Sequence, residues 1–179
     1  MALVHHPVTN RNGDEIASAV TNLDLHDISR AACTYGVKRF YVVTPLADQR
    51  ELAKKVAAHW TEGPGGSYNP DRRRAFSLLR VRESLDQVLA EVQKREGVRP
   101  RTAATDARPS PGAVTFGEFR QELAAGRPWV LILGTAWGLT RQAMARADCV
   151  LAPLTGPTGY NHLSVRSAAA IMLDRLLGG

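Results

Sequence analysis

The sequence predicts an α/β fold: a mostly parallel six-stranded sheet with helices on both faces, in a single domain over residues 1–179. Three observations predict it. Short runs rich in β-branched and aromatic residues alternate with helical apolar patterns along the whole chain. No internal repeat, low-complexity tract or linker interrupts this alternation. A chain of 179 residues with 44% apolar content can bury one substantial core.

The first part of the chain supplies four predicted strands and three predicted helices. The first helical pattern stops at Gly36, a residue type that favours the left-handed backbone found after helices. The second helix stops before Gly63-Pro64-Gly65-Gly66, and we expect residues 61–74 to form an irregular loop. In order, the predicted elements are a strand over 3–8, a helix over 22–36, a strand over 38–44, a helix over 46–60, a strand over 75–82, a helix over 84–96 and a strand over 101–105.

The last third continues the alternation with two strands and three helices. Thr115 offers a hydroxyl suited to a helix N-cap, and Gly126-Arg127-Pro128 ends that helix. The remaining predicted elements are a helix over 115–125, a strand over 129–133, a short helix over 139–147, a strand over 149–154 and a helix over 163–177. Strands joined through helices pair in parallel, and both faces of such a sheet need a covering layer.

The charge of the chain indicates a polyanionic partner. The formal net charge is +6 and the pI is about 9.8, so nucleic acid is the first candidate. No apolar run approaches the length of a membrane span, and the N-terminus lacks the layout of a signal peptide. We therefore expect a cytoplasmic protein without membrane contact. Adjacent His5 and His6 point to opposite faces of a strand, and we expect no metal site.

Two glycine-containing loops, each after an apolar strand, indicate where a ligand binds. Residues 134–138 follow the strand over 129–133, and residues 155–161 follow the strand over 149–154. Glycine lets the backbone approach a ligand closely, and neighbouring strand ends of an open α/β sheet form one concave site. Neither loop has the glycine spacing of a dinucleotide fingerprint or the lysine of a phosphate loop. An ordinary dinucleotide or triphosphate site is therefore not predicted.

Several side chains near these loops have both a structural and a functional interpretation. Trp137 is a core residue beside a tight turn or part of the ligand site. Tyr160 can stack on a flat ring such as a purine. Asn161 or Ser164 can cap the last helix. Arg166, which lies among small residues, is a surface arginine or contacts a substrate or partner subunit.

Two groups of charged residues lie outside the glycine loops. Asp24, Asp27 and Arg30 are spaced by three residues and share one helix face, where they form surface ion pairs or a functional cluster. The irregular loop carries three consecutive arginines, which either remain solvated or close on an RNA backbone. The residues predicted to bind RNA are Arg72, Arg73 and Arg74.

Three segments resemble the motifs of the SPOUT family of S-adenosylmethionine-dependent RNA methyltransferases. Residues 24–37 resemble the first motif, an asparagine followed six residues later by arginine and then by glycine. Residues 131–139 resemble the second, a strand entering a glycine loop, and residues 152–171 resemble the third. The resemblance spans residues 22–177 and points to the SpoU branch and, for the long C-terminal loop, to the tRNA guanine-N1 methyltransferase branch.

The chain differs from the SpoU pattern at three points. Asp24 stands where that branch has asparagine, Thr135-Ala136 replaces an acidic residue, and Ser164 replaces a second asparagine. Methylation of a base and methylation of ribose are therefore both open at this point.

The resemblance implies a deep trefoil knot in the C-terminal third and a homodimer whose first and last helices pack across the two-fold axis. It also implies S-adenosyl-L-methionine as cofactor and RNA as substrate, with tRNA first and guanine N1 as one candidate target. Arg30, which matches the motif-one arginine, would steady the target phosphate or assist the nucleophile, and Asp24 would accept the proton. The residues expected around the cofactor are Thr105, Leu133, Gly134, Thr135, Trp137, Gly138, Ala152, Leu154, Gly156, Tyr160, Asn161, Leu163 and Ser164.

Two other functions compete with this one. A cofactor-binding but non-catalytic RNA-binding or regulatory dimer would explain the altered motif positions. A nucleotide-binding oxidoreductase is a third candidate, although the dinucleotide fingerprint is missing.

Overall fold

The structure is a computed structural model that describes residues 1–178. The strands are β1 (Ala2–Val4), β2 (Val8–Thr9), β3 (Glu15–Ile16), β4 (Phe40–Val43), β5 (Leu79–Arg82), β6 (Arg101–Thr105), β7 (Trp129–Gly134) and β8 (Cys149–Leu151). The helices are α1 (Asn22–Thr34), α2 (Ala47–Thr61), α3 (Pro64–Tyr68), α4 (Pro70–Phe76), α5 (Leu85–Glu96), α6 (Phe116–Ala124), α7 (Arg141–Ala145) and α8 (Val165–Leu177).

Six of the strands form one sheet in the order β5-β4-β1-β7-β6-β8. All neighbouring pairs in it are parallel. Successive residues of β1 face two different cores, as expected for a strand buried on both faces. Leu3 packs with residues of α1, α2, α4, α6 and α8, whereas Ala2 and Val4 pack with residues of α5 and α7. The predicted six-stranded parallel sheet with helices on both faces is confirmed.

The prediction of an irregular loop over residues 61–74 is wrong, because this segment forms α3 and most of α4. Each of these helices begins with a proline, Pro64 or Pro70, at a position where the missing backbone N–H costs nothing. Asn69 caps α4, since its Oδ1 accepts a hydrogen bond of 2.9 Å from the backbone nitrogen of Arg72. The strand predicted over 75–82 begins only at Leu79, because the preceding residues complete α4.

The prediction of a strand over residues 3–8 is also wrong in part. β1 ends at Val4, and Val8 belongs to a two-stranded antiparallel hairpin of β2 and β3. The hairpin turn contains Gly13 at φ 90°, a left-handed conformation that suits glycine. The hairpin is bonded to the glycine loop after β7: the backbone nitrogen of Thr9 donates to the carbonyl oxygen of Gly138 at 2.9 Å.

Helices α1 and α8 pack against each other on one face of the sheet. Ile28 of α1 and Ala169 of α8 are fully buried in the same core. Tyr35, at the end of α1, donates a hydrogen bond of 2.8 Å from its hydroxyl to Asp174 Oδ1 of α8. This packing brings the beginnings of both helices to one end of the sheet. Within residues 1–178, no helix is both long enough and apolar enough to cross a lipid bilayer.

Candidate functional site

A cavity of about 660 Å³ lies at the carboxyl ends of β6 and β7. We call it the glycine-loop cavity. Its walls come from the loop after β7, the segment before α8, the loop after β6, the segment before α1, and the first turns of α1 and α8. The predicted residues that line it are Thr105, Leu133, Gly134, Thr135, Trp137, Gly138, Leu154, Asn161, Leu163 and Ser164, together with Asp24. One concave site therefore contains residues from all three motifs.

Three of the residues expected around the cofactor lie outside the lining of this cavity. The backbone nitrogen of Ala152 donates to the carbonyl oxygen of Val114 at 2.8 Å, next to the edge strand β8. Gly156 is exposed, and no atom lies within 4 Å of the position that a Cβ would take there. Tyr160 is 72% exposed and packs edge-on against His162.

The turn after β7 is tightly constrained at the cavity wall. A Cβ on Gly134 would lie 2.6 Å from the backbone nitrogen of Leu139, so a larger residue would displace the backbone. Ala136 adopts φ 51°, a left-handed conformation that costs a non-glycine residue about 1–2 kcal/mol. The backbone nitrogen of Trp137 donates to the carbonyl oxygen of Thr9 at 3.1 Å. The hairpin thus holds Trp137, which is 60% exposed, at the edge of the cavity.

A chain of hydrogen bonds connects buried His5 to the cavity wall. Thr135 Oγ1 donates its only proton to the carbonyl oxygen of Val4 at 3.1 Å. Ser18 Oγ must therefore donate to Thr135 Oγ1, and His5 Nδ1 must carry the hydrogen that Ser18 Oγ accepts at 3.0 Å. Burial lowers the pKa of His5 to about 4, so the ring is neutral at pH 7. Ser18, which lines the cavity, keeps one lone pair to accept a hydrogen bond from a ligand.

Charged side chains of α1 and α8 meet at one side of the cavity. Arg166 Nη1 lies 3.4 Å from Asp24 Oδ1, and Arg166 Nε lies 3.5 Å from Asp27 Oδ2. Thr21 Oγ1 also donates to Asp24 Oδ2 at 2.6 Å. The two aspartates thus share a helix face, as their spacing predicts, but their partner is Arg166. Arg30 forms no ion pair with them.

The segment before α8 is attached to the loop after β6. Asn161 Nδ2 donates to the carbonyl oxygen of Ala107 at 2.9 Å. Ser164 caps α8, because its Oγ accepts a hydrogen bond of 3.3 Å from the backbone nitrogen of Ser167. Of the two candidates for this cap, the structure therefore selects Ser164.

A second concave surface, of about 490 Å³, lies between α1 and α4. We call it the arginine pocket, because Arg30, Arg72 and Arg74 line it. The Arg72 guanidinium lies 4.6 Å from the centroid of the Trp60 ring, a cation–π contact that holds it in place. The pKa of nearby His26 is lowered. Burial is the largest cause, and the positive charge of Arg72 is the second. Of the three arginines predicted to bind RNA, Arg73 does not line the pocket.

The two predicted catalytic residues are thus separated within one chain. Asp24 lines the glycine-loop cavity, whereas Arg30 lines the arginine pocket. Sequence reasoning missed Ser18, His5 and the hairpin, because these residues belong to no recognisable motif. Arg166 carried a signal, as a lone arginine among small residues, but its aspartate partner is 142 residues away.

Comparisons with known proteins identify the family of the chain. Residues 1–178 match the profile of a family described as "SAM-dependent RNA methyltransferase". A tRNA (guanine-N(1)-)-methyltransferase of Oleidesulfovibrio alaskensis is 45% identical over 177 residues, covering 99% of this chain and 41% of that protein. Its counterpart from Nitratidesulfovibrio vulgaris is 44% identical over the same shares. The chain thus spans about two fifths of the length of these curated relatives.

Solved structures show the same fold. A probable methylase family protein from Haemophilus influenzae superposes with a TM-score of 0.63 and 15% identity, over 98% of this chain and 63% of that one. The SpoU methyltransferase AviRb from Streptomyces viridochromogenes, in complex with AdoMet, superposes with a TM-score of 0.57 and 19% identity, over 99% and 59% of the two chains. The chain belongs to the family of S-adenosylmethionine-dependent RNA methyltransferases, as its three SPOUT-like motifs predict.

Proposed function

We propose that the protein transfers a methyl group from S-adenosylmethionine to guanine N1 of a tRNA. One observation carries the proposal: residues of all three motifs line a single cavity, and the motif-one residue among them is a carboxylate, Asp24. The names of the two 44–45% identical relatives support tRNA and guanine N1 as the target.

The residues of the glycine-loop cavity fit this cofactor. Its volume of about 660 Å³ falls in the range of small-molecule sites. Leu133, Leu154 and Leu163 provide apolar walls for the adenosyl group, and the absence of a side chain at Gly134 permits the tight turn that forms part of the cavity wall. The hydroxyl of Ser18 provides an acceptor for a ligand hydroxyl or amino group.

For this reaction the protein needs to position the cofactor and the RNA and to accept one proton. When bound, S-adenosylmethionine supplies an electrophilic methyl group on a sulfonium. Guanine N1 loses a proton on methylation, and Asp24 accepts it at a carboxylate oxygen. The hydrogen bonds from Thr21 and Arg166 orient this carboxylate and leave lone pairs on both of its oxygens.

RNA binds at the arginine pocket in this proposal. Arg30, Arg72 and Arg74 form no salt bridge with any of residues 1–178, so their charges are available to phosphates. Arg30 steadies the phosphate near the target nucleotide. Tyr68, which is 90% exposed on the neighbouring helix α3, can stack on a base.

The finer architecture is part of the same proposal: the C-terminal third forms a deep trefoil knot, and two chains form a homodimer through α1 and α8. Two observations support the dimer. Leu23 of α1 and Leu177 of α8 are 59% and 45% exposed, so each helix offers apolar surface to a second chain. Ala168 and Ala170 leave small side chains half-buried on α8, where another backbone can approach closely.

The test is incubation of the protein with methyl-labelled S-adenosylmethionine and tRNA from a strain that lacks the gene. The digested nucleosides are then identified by mass spectrometry. We expect label in 1-methylguanosine, and Gly134→Ala serves as the inactive control. Label in another nucleoside would contradict the target, and absence of label from all RNA would contradict the enzymatic activity.

A second function is favoured by one observation: the chain differs from the SpoU pattern at Asp24, at Thr135-Ala136 and at Ser164. The second candidate is a non-catalytic module that binds S-adenosylmethionine and RNA. Tight binding of both ligands without transfer of label would support it.

A further inference from the structure

The glycine-loop cavity contains an uneven set of charges. Two carboxylates line it, Asp24 and Asp106, and Arg166 is the only lysine or arginine among its lining residues within the described chain. Asp106 is already paired, because Arg108 Nε and Nη2 donate to it at 3.1 and 2.9 Å. An anionic group of a ligand in this cavity therefore has one cation to bind.

Arg166 has donors left for such a group. A guanidinium carries five N–H donors. In Arg166 one Nη1 hydrogen is donated to Asp24 at 3.4 Å, and Nε lies 3.5 Å from Asp27 Oδ2 as an ion pair. Both Nη2 hydrogens and one on Nη1 remain, which suffices for the two parallel hydrogen bonds of an arginine–carboxylate pair. The side chain is 35% exposed, so a ligand can reach it.

We infer that Arg166 binds the α-carboxylate of S-adenosylmethionine, and that Asp27 is a positioning residue that orients the guanidinium. The inference rests on the proposed function. The α-carboxylate is the only anionic group of this cofactor, and an anion taken into a partly closed cavity needs a paired cation. RNA phosphates have other partners, since the arginine pocket offers three unpaired arginines outside the cavity. The position of Arg166 in the first turn of α8 adds the favourable field of a helix N-terminus.

The test compares two ligands that differ only in this carboxylate: S-adenosylmethionine and decarboxylated S-adenosylmethionine. Isothermal titration calorimetry measures both dissociation constants, and their ratio is the readout. We expect the wild type to bind the carboxylate form about 10- to 100-fold more tightly, the range for a charged hydrogen-bonded pair. In Arg166→Gln the ratio falls to about one, and in Arg166→Lys it takes an intermediate value because the planar fork of donors is absent.

The ratio of the two dissociation constants is insensitive to partial misfolding, because a damaged cavity weakens the binding of both ligands together. Arg146→Gln is the matched control: Arg146 pairs with Asp86 on the surface at 2.9 Å, away from the cavity, and we expect the wild-type ratio. Asp27→Asn should lower the ratio less than Arg166→Gln does.

Three outcomes would overturn the inference. A ratio unchanged in Arg166→Gln would show that Arg166 does not bind the carboxylate, while cofactor binding itself stands. An unchanged ratio together with weaker RNA binding would assign Arg166 to a phosphate. Binding of neither ligand by the wild type would overturn the proposed function and this inference together.

Discussion

The glycine-loop cavity and the arginine pocket are built in opposite ways. The cavity lies at strand ends, its turn is constrained by backbone contacts around Gly134, and its charged side chains form ion pairs with other side chains of the chain. The arginine pocket lies between two helices, and its three arginines form no salt bridge with residues 1–178. The charged groups of the first site pair within the chain, whereas the arginines of the second site remain available.

This difference indicates what each site binds. A small ligand gains most from a site that is already organised, because ordering the site on binding would cost affinity. A polyanion releases its bound counterions when arginine side chains neutralise its negative charges. Unpaired surface arginines therefore favour its binding. The two sites should therefore respond independently to substitution.

The largest expected effect comes from a glycine substitution in the cavity. In Gly134→Ala the added Cβ would lie 2.6 Å from the Leu139 nitrogen, so the turn must move. We expect the affinity for S-adenosylmethionine to fall at least 100-fold, and overpacking to cost about 1–3 kcal/mol of stability. Gly156→Ala is the matched control, because nothing lies within 4 Å of its Cβ position. Calorimetry checks the prediction, and equal affinities of the two variants would refute it.

The next effect concerns RNA. Replacing the three arginines of the arginine pocket with alanine should weaken tRNA binding about 100-fold at 0.1 M salt. In a plot of the logarithm of the binding constant against the logarithm of the salt concentration, the slope should flatten by about 0.9 for each phosphate that is no longer neutralised. The affinity for S-adenosylmethionine should not change. The control removes the same charge from three exposed arginines outside the pocket, Arg11, Arg127 and Arg141. Equal weakening in both variants, measured by fluorescence anisotropy, would mean that RNA senses only net charge.

A third prediction concerns pH and the cavity. Burial holds the pKa of His5 at about 4, below the usual 6.5, so between these values the unfolded chain binds a proton that folded His5 does not. The free energy of unfolding is therefore highest above pH 6.5 and falls as the pH falls. The decrease due to His5 is about 2 kcal/mol between pH 7 and pH 5. His5→Asn keeps a donor near Nδ1 and cannot titrate. Urea unfolding at both pH values should show a smaller decrease in the variant; equal decreases would contradict the account.

The smallest effect concerns His26, beneath the arginine pocket. The positive charges of Arg72 and Arg30 contribute to its lowered pKa, after burial. Arg72→Ala should therefore raise the pKa of His26, as measured by NMR titration. Arg73→Ala, which removes an arginine from outside the pocket, should leave it unchanged. A larger shift in the Arg73 variant would show that the side chains are arranged differently.

The parallel sheet and most of the cavity could be predicted from sequence because their signals are local. Apolar strands followed by glycine loops mark the strand ends, and strand ends of one sheet meet at one edge. The contact between Arg166 and Asp24 joins residues 142 positions apart, and no spacing rule predicts it. The helices α3 and α4 were not predicted from sequence because proline and glycine usually break helices, whereas here a proline starts each of the two helices. His5 lies at the end of an apolar strand, and only its burial reveals its bond to Ser18.

A crystal structure of the protein with S-adenosylhomocysteine tests the central claim most directly. We expect one ligand per chain in the glycine-loop cavity, with its adenosyl group against Leu133 and Leu154 and its carboxylate near Arg166. The arginine pocket should remain free of this ligand. Ligand density in the arginine pocket, or an empty cavity at a concentration that saturates binding in solution, would contradict the account.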